Sequence, residues 1–181
     1  MPTLLLPDVA ARESYLSAMD EFVAEGRTDD GSMMGTDIAT WAPRWADPEV
    51  FAEYVTWLRA QAATETPRAA HLVPSTTWWW VEPDGHRLAF LGRIALRHRL
   101  NQALLDQGGH IGYDVRRSRR REGHATAMLG AALTRCPEFG LARVLVTCDS
   151  DNLGSRRVIE SHGGVLEDQR GAKLRFWIDL H

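Results

Sequence analysis

The sequence predicts a mixed α/β fold, with one central sheet of about six or seven strands flanked by about four helices. Residues 109–148 read as a strand, a helix and a buried strand, and this βαβ unit requires two parallel strands joined by a right-handed crossover. Residues 75–81 and 87–100 are rich in β-branched and aromatic side chains on either side of a turn, a pattern typical of an antiparallel hairpin. The length of 181 residues fits a single domain.

The composition is that of an ordinary globular protein, with 44% hydrophobic and 25% charged residues. The net charge of −3 argues against nucleic acid or an anionic membrane as the main partner. Cys136 and Cys148 stand apart in apolar stretches and no spacing resembles a metal site, so neither a disulfide scaffold nor a bound metal is expected. The N-terminal apolar run is too short for a signal peptide, and no window approaches the ~20 apolar residues of a membrane span. We therefore expect a cytoplasmic protein.

Helices are predicted in the first 60 residues. Residues 10–26 form the first helix, which ends at Gly26 and has a periodic apolar face made of Tyr15, Leu16, Met19, Phe22 and Val23. The polar, glycine-rich segment 27–37 is predicted to be a loop. A further helix begins after Asp47, whose side chain can cap it, and its apolar face is Phe51, Tyr54, Val55 and Leu58. Residues 64–74 contain two prolines and no periodic pattern of apolar residues, so we expect them to form a connector.

The hairpin is followed by elements that complete the sheet. In order these are a strand at 109–115, a helix at 123–139, a strand at 142–148, a helix at 152–162 and a strand at 173–180. The strand at 142–148 is almost continuously apolar, which indicates that both of its faces are covered.

The segment between the first of these strands and its helix suggests an anion site. The strand runs out at Val115, five arginines follow within 116–121, and the helix begins near Gly123. The first N–H groups of a helix have no internal partner and lie at the positive end of its dipole, which suits a pyrophosphate. A basic loop that caps a helix by chance explains this segment equally well.

Four elements of the sequence resemble the GNAT (Gcn5-related) N-acetyltransferase superfamily. Arg120-x-x-Gly123-x-Ala125 is similar to the acyl-CoA pyrophosphate motif of that family, and the strand before it and the buried strand after it follow in family order. Asn152-x-x-Ser155 then opens the next helix at the family's spacing. The resemblance extends over about residues 75–168 and is strongest to a bacterial branch of predicted acetyltransferases.

The resemblance implies a GNAT fold whose two central parallel strands splay apart to admit acetyl-CoA, with no metal. It implies that 75–181 is the acyl-CoA-binding core and that 1–74 supplies the acceptor side of the single domain 1–181. The positions that would contact the donor are Tyr113, Asp114, Val115, Arg120, Arg121, Glu122, Gly123, His124, Ala125, Thr126, Asn152 and Ser155. Asn152 and Ser155 are also good helix caps, so a purely structural role is an alternative for both.

Two residues are candidates for proton transfer. His110, at the start of the central strand, lies about as far ahead of Arg120 as the catalytic base of several GNAT enzymes, although it could instead be a hydrogen-bonded structural histidine. The family often places a proton-donating tyrosine where this chain has Ile159. The resemblance therefore leaves Ser155 or a water to protonate the leaving thiolate, unless the thiolate, already a good leaving group, departs without an acid.

The acceptor side is less defined. Candidate substrate contacts are Asp29, Trp41, Trp79 and Arg93. Arg93 and Arg97 share one face of the third strand and could meet an acceptor carboxylate, or lie on an exposed face. The three consecutive tryptophans 78–80 cannot all point to one side, and core packing competes with substrate contact for Trp79. A solvated loop is the alternative for Asp29.

The resemblance implies an N-acetyltransferase that moves an acetyl group from acetyl-CoA to a primary amine of a small molecule by direct attack. A protein or peptide N-acetyltransferase is an alternative, and a non-catalytic acyl-CoA sensor is another because the family tyrosine is missing. No nucleic acid or membrane partner is expected, and a homodimer is compatible with the family.

Overall fold

The computed structural model describes residues 1–180, in which seven strands form one mixed sheet with the order β1-β2-β3-β4-β5-β7-β6. The strands are β1 (Thr3–Leu5), β2 (Ser75–Asp84), β3 (Arg87–Arg97), β4 (Ile111–Val115), β5 (Arg143–Asp149), β6 (Val165–Arg170) and β7 (Lys173–Asp179). Neighbouring strands are antiparallel except β4 and β5, which are parallel. The predicted mixed α/β fold and its central parallel pair are confirmed.

Five α-helices cover the two faces of the sheet, one more than expected. They are α1 (Arg12–Ala24), α2 (Met33–Trp41), α3 (Pro48–Ala60), α4 (His124–Leu133) and α5 (Leu153–Glu160). One hydrophobic core joins α1, α2 and α3 to the sheet, and a second core joins α4 and α5 to its other face. We refer to these as the α2 face and the α4 face. Within residues 1–180, no helix is both long and apolar enough to cross a lipid bilayer.

The three tryptophans of β2 show how the strand period divides these cores. Trp78 and Trp80 are buried in the core of the α4 face, whereas Trp79 is buried in the core of the α2 face. Trp79 is only 1% exposed and stacks on Tyr15, with 4.6 Å between the ring centroids. Its expected role as a substrate contact is therefore wrong, because α1 and α3 cover the position completely.

The boundaries of two predicted elements need correction, and two strands were not predicted. Residues 27–37 are not all loop, because α2 begins at Met33 and is capped by Ser32, whose Oγ accepts a hydrogen bond from the Gly35 N–H at 3.0 Å. The helix expected over 123–139 ends at Leu133, and a 3₁₀ turn containing Pro137 follows, because proline lacks the N–H that would continue an α-helix. β1 and β6, which the sequence analysis did not identify, form the two edges of the sheet.

Candidate active site

β4 and β5 separate soon after they meet. Their register contains one pair, Ile111 with Val146, so β4 is bonded to β3 alone from Gly112 onward. The His110 carbonyl accepts the Arg97 N–H and the Arg116 N–H donates to the Leu91 carbonyl, so strand alternation turns the backbone groups of Tyr113 away from β3 and toward the open side. The predicted splay is therefore present, and we call the point at Gly112 where β4 leaves β5 the apex.

The open side of β4 continues into a cleft of about 950 Å³ bounded by the first turns of α4 and α5. All of the predicted donor-binding residues except Glu122 line it. Glu122 instead forms an ion pair with Arg119 at 2.9 Å and a hydrogen bond with His124 at 3.2 Å. The lining also includes residues that the sequence analysis did not identify, namely Glu25, Arg27, Arg119, Asp151, Leu153, Gly154, Arg157 and Val158.

The wall of the cleft at α4 is an array of free backbone donors. Among residues 1–180, the N–H groups of 121–126 have no hydrogen-bond acceptor, and Ala127 is the first to donate, to the Gly123 carbonyl at 3.0 Å. Arg121 and Gly123 adopt left-handed conformations, with φ of +65° and +83°. Alternation of right- and left-handed residues turns successive N–H groups toward one concavity, and the dipole of α4 adds positive potential there. This array can bind a diphosphate.

The motif arginine has a different partner from the one expected. Arg120 makes a bidentate ion pair with Glu25, at 2.6 and 2.7 Å, and its Nε donates to the Val115 carbonyl at 2.9 Å. Arg120 therefore ties the loop to the end of α1, and its charge is already balanced. In the part of the chain that the structure describes, the cleft arginines Arg121 and Arg157 form no ion pair, which leaves them available to an anion.

A second carboxylate of α1 fixes the other end of the loop. Glu21 accepts hydrogen bonds from Arg116 at 2.5 and 3.0 Å and from the Ser118 N–H at 2.9 Å. Partial burial opposes ionisation of Glu21, but the bonds from Arg116 and Ser118 outweigh it and hold its pKa below the usual value. The loop that presents the free amides is thus anchored to α1 at two points.

Hydroxyl groups meet on the floor of the cleft. The Tyr113 hydroxyl lies 2.7 Å from Oγ of Ser155 and reaches from β4 to the first turn of α5. Burial raises the pKa of Tyr113 to about 12, although the bond to Ser155 opposes this shift, so the phenol is neutral. Asn152 caps α5 by accepting the Ser155 N–H at 3.0 Å. Ile159 is completely buried and offers no polar group.

His110 does not have the geometry of a base. It is 6% exposed, and its Nδ1 accepts the N–H of Leu145 at 2.9 Å. In the neutral ring the other nitrogen, Nε2, then carries the hydrogen, so no lone pair is free. Burial, with the charge of Arg97 adding to it, lowers the pKa of His110 to about 4. His110 is also absent from the cleft lining, and the structure supports the structural alternative for it.

The remaining acceptor candidates are not at the cleft. Arg93 is 2% exposed because α2 covers it, and it forms an ion pair with Asp37 at 2.6 Å, so its expected contact with substrate is wrong. Asp29 is exposed in the loop before α2, with a left-handed φ of +56°. Trp41 ends α2 and lines a separate shallow pocket beside Trp57. Within residues 1–180, no group of three or more metal-binding side chains occurs.

Comparisons with known structures agree with this architecture. The ribosomal-protein-S5-alanine acetyltransferase of Vibrio fischeri aligns with a TM-score of 0.66 and 12% identity, over 98% of this chain and 92% of that chain. The microcin C7 self-immunity acetyltransferase MccE, solved with acetyl-CoA and AMP, aligns with a TM-score of 0.63 and 11% identity, over 98% of this chain and 92% of that chain. RimJ of Mycobacterium smegmatis, solved with CoA-disulfide, aligns with a TM-score of 0.61 and 20% identity, over 97% of this chain and 80% of that chain.

A comparison with curated protein sequences finds no match. A family model described as the acetyltransferase (GNAT) domain matches residues 33–165, which is most of the chain. The matched segment contains α2, the apex, the free amides of the α4 loop and the hydroxyls of the cleft floor. The chain therefore belongs to the GNAT family of acetyltransferases, N-acetyltransferases that use acetyl-CoA.

Proposed function

We propose that this enzyme transfers an acetyl group from acetyl-CoA to a primary amine of a small molecule by direct attack within a ternary complex. The observation that supports this proposal best is the run of unpaired N–H groups at 121–126, which opens into the cleft beside the free edge of β4. A diphosphate needs such donors, and an amide-containing arm needs such an edge.

The residues present fit the donor in two parts. The amides of 121–126 with Arg121 and Arg157 would hold the diphosphate, because their positive potential is not balanced by a carboxylate. The backbone of Tyr113 would bind the pantetheine arm as an added strand. Acetyl-CoA supplies a thioester whose acyl carbon can accept an amine.

The chemistry forms a C–N bond, breaks the C–S bond and moves one proton at each end. Neither His110 nor Asp114, the imidazole and the carboxylate closest to the apex along the chain, is a free base: His110 has no lone pair, and Asp114 is paired with Arg27 at 2.5 Å. The amine therefore loses its proton to water. The thiolate takes a proton from the Ser155 hydroxyl, which lies 2.7 Å from the Tyr113 hydroxyl, and water returns to Ser155 the proton that it received from the amine. Such general-acid assistance contributes about 10²-fold or more.

The roof over the apex favours a small acceptor. A Cβ added to Gly112 would lie 2.9 Å from Cε of Met33, the first residue of α2, so little space separates α2 from the strand. A protein terminus needs an open channel at this point. A protein acceptor is nevertheless the second candidate, because the similar structure from Vibrio fischeri is a ribosomal-protein-S5-alanine acetyltransferase.

The test is release of free thiol from acetyl-CoA, followed with a thiol-reactive chromophore, with a panel of small primary amines and a panel of N-terminal peptides. Both cysteines of the chain are buried, so the background from the protein is low. Turnover with small amines supports the proposal. Turnover with peptides alone would assign a protein acceptor, and CoA binding without turnover of either panel would leave the sensor function.

A further inference from the structure

The α2 face of the apex carries a positive charge with no counter-ion. Arg97, the last residue of β3, is largely buried, and its Nη1 donates to the carbonyls of Gly108 and Gly109 at 3.0 and 3.2 Å. Within residues 1–180, no carboxylate oxygen lies within 4.0 Å of its guanidinium. Burial and the like charge of Arg93 lower the pKa of Arg97 to about 10.

Other buried arginines of the sheet are neutralised. Arg93, which lies four residues before Arg97 on the same face of β3, is paired with Asp37. Arg175 on β7 is paired with Glu167 at 2.7 Å and Asp168 at 2.5 Å. A buried charge without a partner costs free energy, so proteins normally pair it. Arg97 departs from this pattern, and two carbonyl dipoles do not replace an anion.

The position of this charge relates it to the reaction. A Cβ added to Gly112 would lie 3.7 and 3.9 Å from Nη1 and Nη2 of Arg97, so the guanidinium lies against β4 at the apex. An arm that starts at the α4 loop and follows β4 inward from Val115 reaches its end here, because Ile111 and Val146 close the gap. The donor cleft is bounded by the first turns of α4 and α5, and neither Arg97 nor Met33 belongs to its lining, which leaves their side of the apex for the acceptor.

We propose that Arg97 binds the carboxylate of the acceptor, so that the acceptor is a small amine bearing a carboxylate within a few bonds, as in an amino acid. This inference rests on the proposed function, since it assumes that the acyl group arrives at the apex. The planar guanidinium suits a carboxylate because it can donate two parallel hydrogen bonds. Met33 lies over Gly112, and its flexible side chain is the group that must rotate to admit the acceptor.

The experiment compares each of several α-amino acids with its carboxamide, which keeps the amine and the side chain but lacks the charge. We expect kcat/KM to favour the acid by about 10- to 100-fold, the range of a charged hydrogen bond. Near neutral pH the carboxamide has the larger fraction of unprotonated amine, because its ammonium is the more acidic, so the state of the amine favours the carboxamide and cannot produce a preference for the acid. Arg97→Gln should abolish the preference, and Arg97→Lys should retain part of it.

Arg99→Gln is the matched control, because Arg99 is exposed and lies two residues further along the chain. If Arg97 were purely structural, Arg97→Gln would lower kcat/KM for the acid and the amide equally and would lower the Tm. Removal of an unbalanced buried charge should not lower the Tm. If Arg97→Gln fails to fold, the ratio of kcat/KM for the acid to kcat/KM for the carboxamide, measured with the wild-type protein, still tests the inference. Equal kcat/KM values overturn it.

Calorimetry separates this inference from the proposed function. Titration of acid and amide into the CoA complex repeats the comparison without turnover, and tighter binding of the acid supports Arg97 as the anchor. Absence of CoA binding would overturn both proposals. CoA binding and acetyl transfer with no preference for the acid would overturn the role of Arg97 alone.

Discussion

Substitution of Gly123 by glutamate should remove most of the affinity for CoA. Gly123 caps α4 with a φ of +83°, and no atom lies within 4 Å of the position that a Cβ would occupy. The new side chain therefore meets no steric clash. Its carboxylate would stand beside the free N–H groups of 121–126 and occupy the place of the diphosphate. The helix itself should tolerate the change, because an anion at an N-terminus is stabilising.

The magnitude follows from two separable effects. A non-glycine residue at a left-handed φ costs about 1–2 kcal/mol of fold stability. Loss of two charge-assisted hydrogen bonds, at about 1.5–3 kcal/mol each, weakens binding by about 3–6 kcal/mol, or about 10²- to 10⁴-fold in Kd. The first effect appears in unfolding and the second in affinity.

Isothermal titration of CoA into three variants tests this division. Gly123→Ala carries the backbone strain without the charge and should weaken binding by less than about tenfold. Gly85→Glu is the matched control, because Gly85 has a φ of +60°, nothing within 4 Å of a Cβ, and a place in the hairpin turn outside the cleft. A Kd for Gly123→Glu equal to that of Gly85→Glu would refute the anion site.

Three further predictions concern the core and the proton groups. Asp37→Asn should lower the free energy of unfolding in urea by about 3–5 kcal/mol, because it leaves Arg93 buried without its anion; a loss below about 1 kcal/mol would contradict this. Burial lowers the pKa of His110 to about 4 from 6.5, so the unfolded chain binds more protons in that interval. Burial of the neutral His110 ring therefore leaves the free energy of unfolding at its full value above pH 6.5, and that free energy falls by about 2–3 kcal/mol as the pH drops toward 4. His110→Gln should flatten that slope in chemical denaturation at several pH values and leave kcat at pH 8 unchanged; a large loss of kcat would restore its role as base. Tyr113→Phe should lower kcat by about tenfold at unchanged Kd for CoA, and an unchanged kcat would remove the hydroxyl pair from the chemistry.

Elements with local signals were predictable from the sequence. Asp47 caps α3 as expected, with its Oδ1 accepting the Glu49 N–H at 2.8 Å, because a cap depends on neighbours in the chain. β5 was recognisable because a strand covered on both faces is apolar throughout. The loop before α4 was recognisable because one motif specifies both its glycine and its arginines. These features need no knowledge of distant residues.

The parts that failed depend on contacts between distant segments. Strand alternation placed Arg93 and Arg97 on one face, but their different surroundings depend on Asp37, which α2 brings to one and not to the other. α2 itself carries a weak local signal, because its first turn contains Gly35, a poor helix former, and its stability comes from packing on the sheet. Nδ1 of His110 accepts the N–H of Leu145, which lies on a different strand. Periodicity contains no information about such partners.

The attachment of the α4 loop to α1 has a consequence for how this enzyme can be re-engineered. Glu21 and Glu25 belong to the N-terminal segment, yet they hold Arg116 and Arg120 of the α4 loop, the proposed diphosphate site. A chimaera that exchanges the first helices to obtain a new acceptor would remove these two ion pairs and loosen the α4 loop. Grafts that keep this pair of glutamates should preserve coenzyme recognition, so the two halves of the domain are not independent modules.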